Sequence, residues 1–88
     1  GDLNFAPDDA SYRILSAALQ DTAAGGTDTA IDTFNAFGKP VAASGRIDYI
    51  FVNGQFQVRS QTVHSERPEG RYASDHYAVS AVVGRVQP

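Results

Sequence analysis

Gly70-Arg71-Tyr72-Ala73-Ser74-Asp75-His76-Tyr77 joins a polar loop to an apolar strand. Upstream, Arg67-Pro68-Glu69 running into Gly70 is turn chemistry: proline fixes one dihedral and glycine accepts conformations that other residues avoid. Downstream, Tyr77, Val79, Ala81 and Val83 alternate with Ala78, Ser80 and Val82, the period of a strand. An acid and a histidine are thereby held side by side where a loop meets a sheet, a rigid place to present polar side chains. Taken alone, Ser74-Asp75-His76 fits a solvated turn as well as a functional site. The choice depends on what the rest of the chain brings to it.

Working back, Phe56, Val58, Ser60 and Val63 outline a second strand, with His64 near its end as a surface histidine. Asn53-Gly54 before it is a hairpin signal. Arg46-Ile47-Asp48-Tyr49-Ile50-Phe51-Val52 carries the strongest strand signal of all, aromatic and β-branched, bounded by Ser44-Gly45 and Asn53-Gly54. Apolar side chains on both of its faces predict a central strand covered on both sides. Asp48 is then anomalous, because an ionised carboxylate in such a strand is costly unless paired. It pairs with Arg46, sits at an exposed strand end, or meets a donor from elsewhere, for which His76 is available.

Thr33-Phe34-Asn35-Ala36-Phe37 reads as a short strand ended by Gly38-Lys39-Pro40, which lacks the glycine-rich lead of a phosphate-binding loop. Asp21 to Ala30 has loop composition. Asp21, Asp28 and Asp32 do not match calcium-loop spacing and read as solvated charges. Asp9 to about Gln20 reads as an amphipathic helix, with Asp8 or Asp9 capping its first turn and Tyr12, Leu15, Ala18 and Leu19 on one face beside Ile14. In an extended N-terminal segment, Asp2 and Asn4 share one side while Leu3 and Phe5 share the other.

With 88 residues the chain has room for one small domain and a thin core. An apolar content of 42 % is that of a globular rather than a disordered chain. A net charge of −3 leaves no basic footprint for a large nucleic-acid groove. The absence of cysteine excludes disulfides and thiolate metal sites. No apolar run approaches the ~20 residues of a membrane span, and no signal-peptide pattern opens the sequence. The patterning predicts a mixed α/β (α+β) fold, with one amphipathic helix on a largely antiparallel sheet of about four strands.

Three polar constellations thus stand at strand ends, in the order Gly1-Asp2-Leu3-Asn4, Arg46-Ile47-Asp48-Tyr49-Ile50 and Ser74-Asp75-His76. In this order, with a helix after the first, they resemble the motifs of the endonuclease/exonuclease/phosphatase superfamily, the DNase-I-like enzymes. Thr33-Phe34 resembles a further recurrent feature of that family. The resemblance spans nearly the whole chain but matches only the C-terminal part of the family's domain. It implies half of a four-layer α/β sandwich, with an N-terminal half elsewhere that carries the principal glutamate ligand of the metal.

Phosphoester hydrolysis needs an attacking water and stabilisation of charge on the phosphoryl and leaving oxygens. A hard cation such as magnesium, or manganese in its place, meets the charge requirement. By resemblance, Asp2 is the carboxylate that orients water or accepts its proton, and Asn4 is the amide that holds a phosphate oxygen or the nucleophile. His76 is the phosphate-contacting histidine. Asp48 orients it and favours its charged form, which predicts a His76–Asp48 hydrogen bond. Asp75 lies at the metal, directly or through water.

The resemblance implies a metal-dependent phosphodiesterase or phosphomonoesterase that is inactive without its other half. The alternative is a non-catalytic binding or assembly module on the same fold. The substrate class is left open among nucleic acid, phosphoinositide and lipid head group. A half-sandwich exposes an apolar sheet face, so self-association is expected.

Overall fold

A hydrogen-bonded aspartate opens the helix. Asp9 Oδ1 accepts from the Ser11 N–H at 2.8 Å, and α1 runs Ala10–Ala18. It ends where Leu19 turns to extended backbone while its N–H still reaches the Leu15 carbonyl at 2.8 Å. The structure, a computed structural model, describes residues 1–24, 31–40 and 45–87; Asp28 lies outside them. Tyr12, Leu15 and Leu19 form the half-buried face, whereas Ala18 is exposed and Ile14 is 73 % exposed. No helix among the described residues is long and apolar enough to cross a membrane.

The strands among the described residues are β1 (Gln20–Asp21), β2 (Phe51–Val52), β3 (Phe56–His64) and β4 (Ala78–Arg85). They form two antiparallel pairs, β1 with β2 and β3 with β4. The fold is mixed α/β as expected, but the four strands among the described residues lie in two small sheets. Asn53-Gly54 therefore does not close a hairpin. It is a corner, with the Gln55 N–H on Asn53 Oδ1 and the Phe56 N–H on the Asn53 carbonyl, that sends the chain from one sheet to the other. Local turn chemistry cannot distinguish these outcomes, because both need the same tight reversal of direction.

The central position of residues 46–52 is visible in their backbone bonds. Ile47 and Tyr49 bond Leu3 and Gly1, each at 2.9 Å, while the Ile50 carbonyl faces the other way and accepts from Thr22 at 3.0 Å. Alternate residues thus serve two neighbours, as the strand period requires. Register then places Asp2 opposite Asp48.

β3 and β4 pair from Phe56↔Arg85 to His64↔Ala78, with an irregularity between Val58 and Ser60 that leaves Arg59 unpaired. The guanidinium of Arg59 lies over Gly84, where a Cβ would come within 2.8 Å of it.

The core is small and partly polar. Among the described residues, Ala23, Tyr49 and Val63 are its buried apolar members, joined by fully buried Thr22 and Thr33. The Tyr49 ring meets Phe5, Tyr12 and Phe51 at centroid distances of 5.3, 5.7 and 5.7 Å. Its hydroxyl is shared between the Phe5 and Arg46 carbonyls, and burial pushes its pKa up to about 12. Thr22 donates to Gln61.

Asp21 corrects the sequence reading. It is a buried core charge, 2 % exposed, and not a solvated loop residue. Arg46 Nη2 sits 2.7 Å from its carboxylate, the Tyr12 hydroxyl donates to it at 2.8 Å, and the Ala23 N–H at 3.0 Å. Arg46 is therefore committed to Asp21 and not to Asp48, with its guanidinium 4.8 Å from the Tyr49 ring centroid. Composition marks 21–30 as a loop because glycine and threonine dominate it. It carries no sign that the first residue of that loop faces inward.

Candidate active site

Thr33 is the spacer around which the site is assembled. Its buried hydroxyl accepts from the Ile47 and Asp48 N–H groups at 3.0 and 3.1 Å, and its carbonyl accepts from Tyr77 N–H at 2.8 Å. One residue, through its side chain and its carbonyl, thus ties the Asp48 strand to the chain just after His76. The expected strand at 33–37 reduces to a single bridge, Phe34 opposite His76. Beyond it Asn35 Oδ1 accepts from Phe37 N–H and the chain enters a short 3-10 turn, Ala36–Gly38. Phe34 meets the His76 ring edge-on, with centroids 5.2 Å apart.

His76 Nδ1 lies 2.8 Å from Asp48 Oδ2, the hydrogen bond expected from the sequence. Its Nε2 faces Asp2 Oδ2 at 3.7 Å. The Nδ1 contact assigns the ring: Nδ1–H donates to the carboxylate, leaving Nε2 for proton exchange or for an anion. The hydrogen bond to Asp48 raises the His76 pKa. Burial opposes this, and the fields of Asp48, Asp2 and Asp75 add to it. His76 is thus biased towards the imidazolium, the form that donates from both nitrogens.

Asn4 does not continue an extended strand. It is in the left-handed region (φ 58°), and its N–H donates to Asp2 Oδ1 at 3.0 Å. The turn orients Asp2 through the Asn4 backbone and leaves the Asn4 residue exposed. Asp75 is half-buried, and its carbonyl accepts from Asn35 and Ala36 N–H. Among the described residues, the cluster whose candidate ligand atoms all lie within 4.8 Å of one another is Asp2, Asp48 and His76. Asp75 is not part of it.

The endonuclease/exonuclease/phosphatase family model matches residues 1–76, a span that takes in every residue of this cluster. The chain belongs to the endonuclease/exonuclease/phosphatase family. No curated protein matches it. Among solved structures, the crystal structure of the endonuclease/exonuclease/phosphatase from Bacteroides vulgatus matches with a TM-score of 0.78 and 27 % identity. The match covers 98 % of this chain and 35 % of that one.

Within this family member, the sequence motifs bring Asp2, Asp48 and His76 together and leave Asn4 at the rim. Thr33 and Phe34 frame the site; their pattern in the sequence predicts a strand, and as a pair they resemble a recurrent feature of the family. Their signal is compositional: a threonine in an apolar run has a hydroxyl that must be satisfied if it is buried. The donor set suits a hard cation in part. Carboxylate oxygens are the right donors, but His76 Nδ1 and Asp48 Oδ2 already satisfy each other. Asp2 is the cluster's carboxylate most open to solvent, with a side chain 41 % exposed.

Proposed function

We propose that this chain is the C-terminal portion of a phosphoesterase domain that cleaves phosphodiester or phosphomonoester bonds with a divalent cation, magnesium or manganese. The observation that carries this reading is the Asp48–His76–Asp2 array, with its 2.8 and 3.7 Å contacts. Its support as a partial domain is the coverage of 35 % of the Bacteroides vulgatus chain. Asp75 is the carboxylate offered to the cation, directly or through water, and the rest of the domain would supply further oxygen ligands. When bound, the cation supplies charge stabilisation for the phosphoryl oxygens.

The chain's own residues do the rest. Asp48 fixes the His76 ring and stabilises its positive charge. His76 Nε2–H then donates to a phosphate oxygen, where it offsets developing negative charge. Asp2, held by the Asn4 N–H, orients the attacking water and accepts its proton. The Asn4 side chain stands at the rim to hold a phosphate oxygen or the nucleophile.

The test is hydrolysis of bis-p-nitrophenyl phosphate, with magnesium or with a chelator, by this chain alone and joined to the remainder of its domain. The joined domain is expected to be active with magnesium, and His76→Ala to lower its rate by about 10²–10⁴-fold. The chain alone is expected to be inactive, because losing members of a cooperative site removes nearly all its catalysis. Activity indifferent to His76 or to the chelator overturns this reading. A folded joined domain that stays inactive on nucleotide, inositol and lipid phosphates leaves a binding or assembly module.

A further inference from the structure

Every polar group of Asn35 is in use, and together they link two segments. Its backbone N–H donates to the Asp75 carbonyl at 2.8 Å, and its Nδ2 donates to the Ser74 carbonyl at 3.1 Å. Its Oδ1 accepts from the Phe37 N–H and its carbonyl from the Gly38 N–H, each at 2.8 Å. The first pair of bonds reaches the two residues immediately before His76. The second pair closes the turn Ala36–Gly38. Ser74 passes the constraint on, because its Oγ accepts from the His76 N–H at 3.1 Å. Thr33 thus holds the chain just after His76, and Asn35 holds it just before.

The turn itself is strained. Ala36, Phe37 and Gly38 follow one another at φ 52°, 55° and 77°. L-residues enter the left-handed region singly, and such a run persists only where its surroundings over-determine it. Tyr72 does so from outside. Its ring meets Phe37 edge-on at 6.5 Å and is wedged between Tyr77, at 6.4 Å, and the Arg67 guanidinium, at 4.7 Å. Asn35 does so from within, through its bonds to Phe37 and Gly38. The strain fixes a direction: with Oδ1 bound to the Phe37 N–H, the planar amide aims Nδ2 at the Ser74 carbonyl.

Resting on the phosphoesterase reading, we propose that Asn35 is a positioning residue for His76. Its carboxamide holds the Ser74–Asp75 backbone so that the His76 ring meets Asp48 at 2.8 Å and keeps Nε2 free for the phosphate. It acts through the backbone and not on the substrate. A displacement of about 1 Å at a reacting group can cost about 10²-fold in rate, which is the scale of effect available to such a clamp.

The test uses Asn35→Ser and Asn35→Asp, which separate the two jobs of the side chain. Both keep an oxygen for the Phe37 N–H, and neither offers the amide donor to the Ser74 carbonyl. Serine adds no charge, so an effect shared by both variants is not one of charge. In the joined domain with magnesium, both are expected to lower kcat by about 10–10²-fold, with KM within about twofold of the parent and thermal unfolding close to it. In the chain labelled with 15N-histidine, the Nδ1–H signal of His76, held by Asp48, is expected to shift or broaden in both. A parent kcat in either variant, a loss that falls on KM instead, or an unmoved Nδ1–H signal overturns the assignment. Variants that unfold overturn it too, since Asn35 then serves the fold alone. If the parent joined domain is inactive, the phosphoesterase reading falls and the Nδ1–H signal alone decides whether Asn35 sets the ring.

Discussion

At the residue scale, two aspartates in the same small fold do opposite work. Asp48 raises the His76 pKa through the 2.8 Å hydrogen bond. A raised histidine pKa adds stability that is fully present below the unfolded value of about 6.5 and is lost as pH rises through the folded pKa. Asp48→Asn is therefore expected to lower the His76 pKa, read from its ring-proton titration. The stability gap to the parent chain should be widest in mild acid and shrink as the pH rises. An unchanged titration curve would remove Asp48 as the partner.

Asp21 runs the other way. Burial pushes its carboxyl up, but hydrogen bonds from Arg46, Ala23 and Tyr12 outweigh that and hold it below the ordinary carboxylate range. Its contribution is present above about pH 4 and fades as pH falls through the lowered value. Asp21→Asn leaves the buried Arg46 cation uncompensated. It is expected to cost about 3–5 kcal/mol in urea unfolding, enough to unfold so small a domain. Asp2→Asn, at a side chain 41 % exposed, should cost less than about 1 kcal/mol in the same measurement.

At the element scale, two glycines separate backbone strain from simple crowding. Gly38 has φ 77°, and an added Cβ would lie 2.8–3.2 Å from the Tyr72 ring and hydroxyl, which are wedged by neighbours. Gly38→Ala is expected to lower stability by about 1–3 kcal/mol. An added Cβ at Gly84 also meets atoms at 2.8 Å, but they belong to the far end of the Arg59 side chain. That side chain swings away, so Gly84→Ala should stay within about 0.5 kcal/mol. Equal losses in thermal unfolding would show that crowding, not φ, governs both sites.

At the scale of the whole molecule, the chain is flat. Its Cα radius of gyration is 14.0 Å, against about 12 Å for a compact domain of this length. β3 and β4 form a two-stranded sheet, which is marginal alone. Phe56, Val82, Val83 and Val86 are 36–56 % exposed, and adjacent Val82 and Val83 point to opposite faces. The proposed remainder of the domain would cover this strip. By itself the chain is expected to self-associate in size-exclusion chromatography with light scattering, and Val82→Lys with Val86→Lys to shift it towards monomer. A monomer at high concentration without those changes would show that the strip drives nothing.

The sequence by itself determined the helix with an aspartate cap, the strand character of β3 and β4, and the three polar motifs that mark the family. Each of these rests on residues near one another in the chain, where period and capping chemistry act directly. The family motifs already pointed to the His76–Asp48 pair, but only the tertiary structure decided that Arg46 meets Asp21. Arg46 is two residues from Asp48 yet pairs with Asp21, while Asp48 takes His76, although residues two apart share one face of a regular strand. It also decided that Asn53-Gly54 turns between sheets and that Thr33 is the spacer of the site. It set Phe37 in the left-handed region as well. These outcomes depend on what lies across space from a residue, and residue order does not encode that.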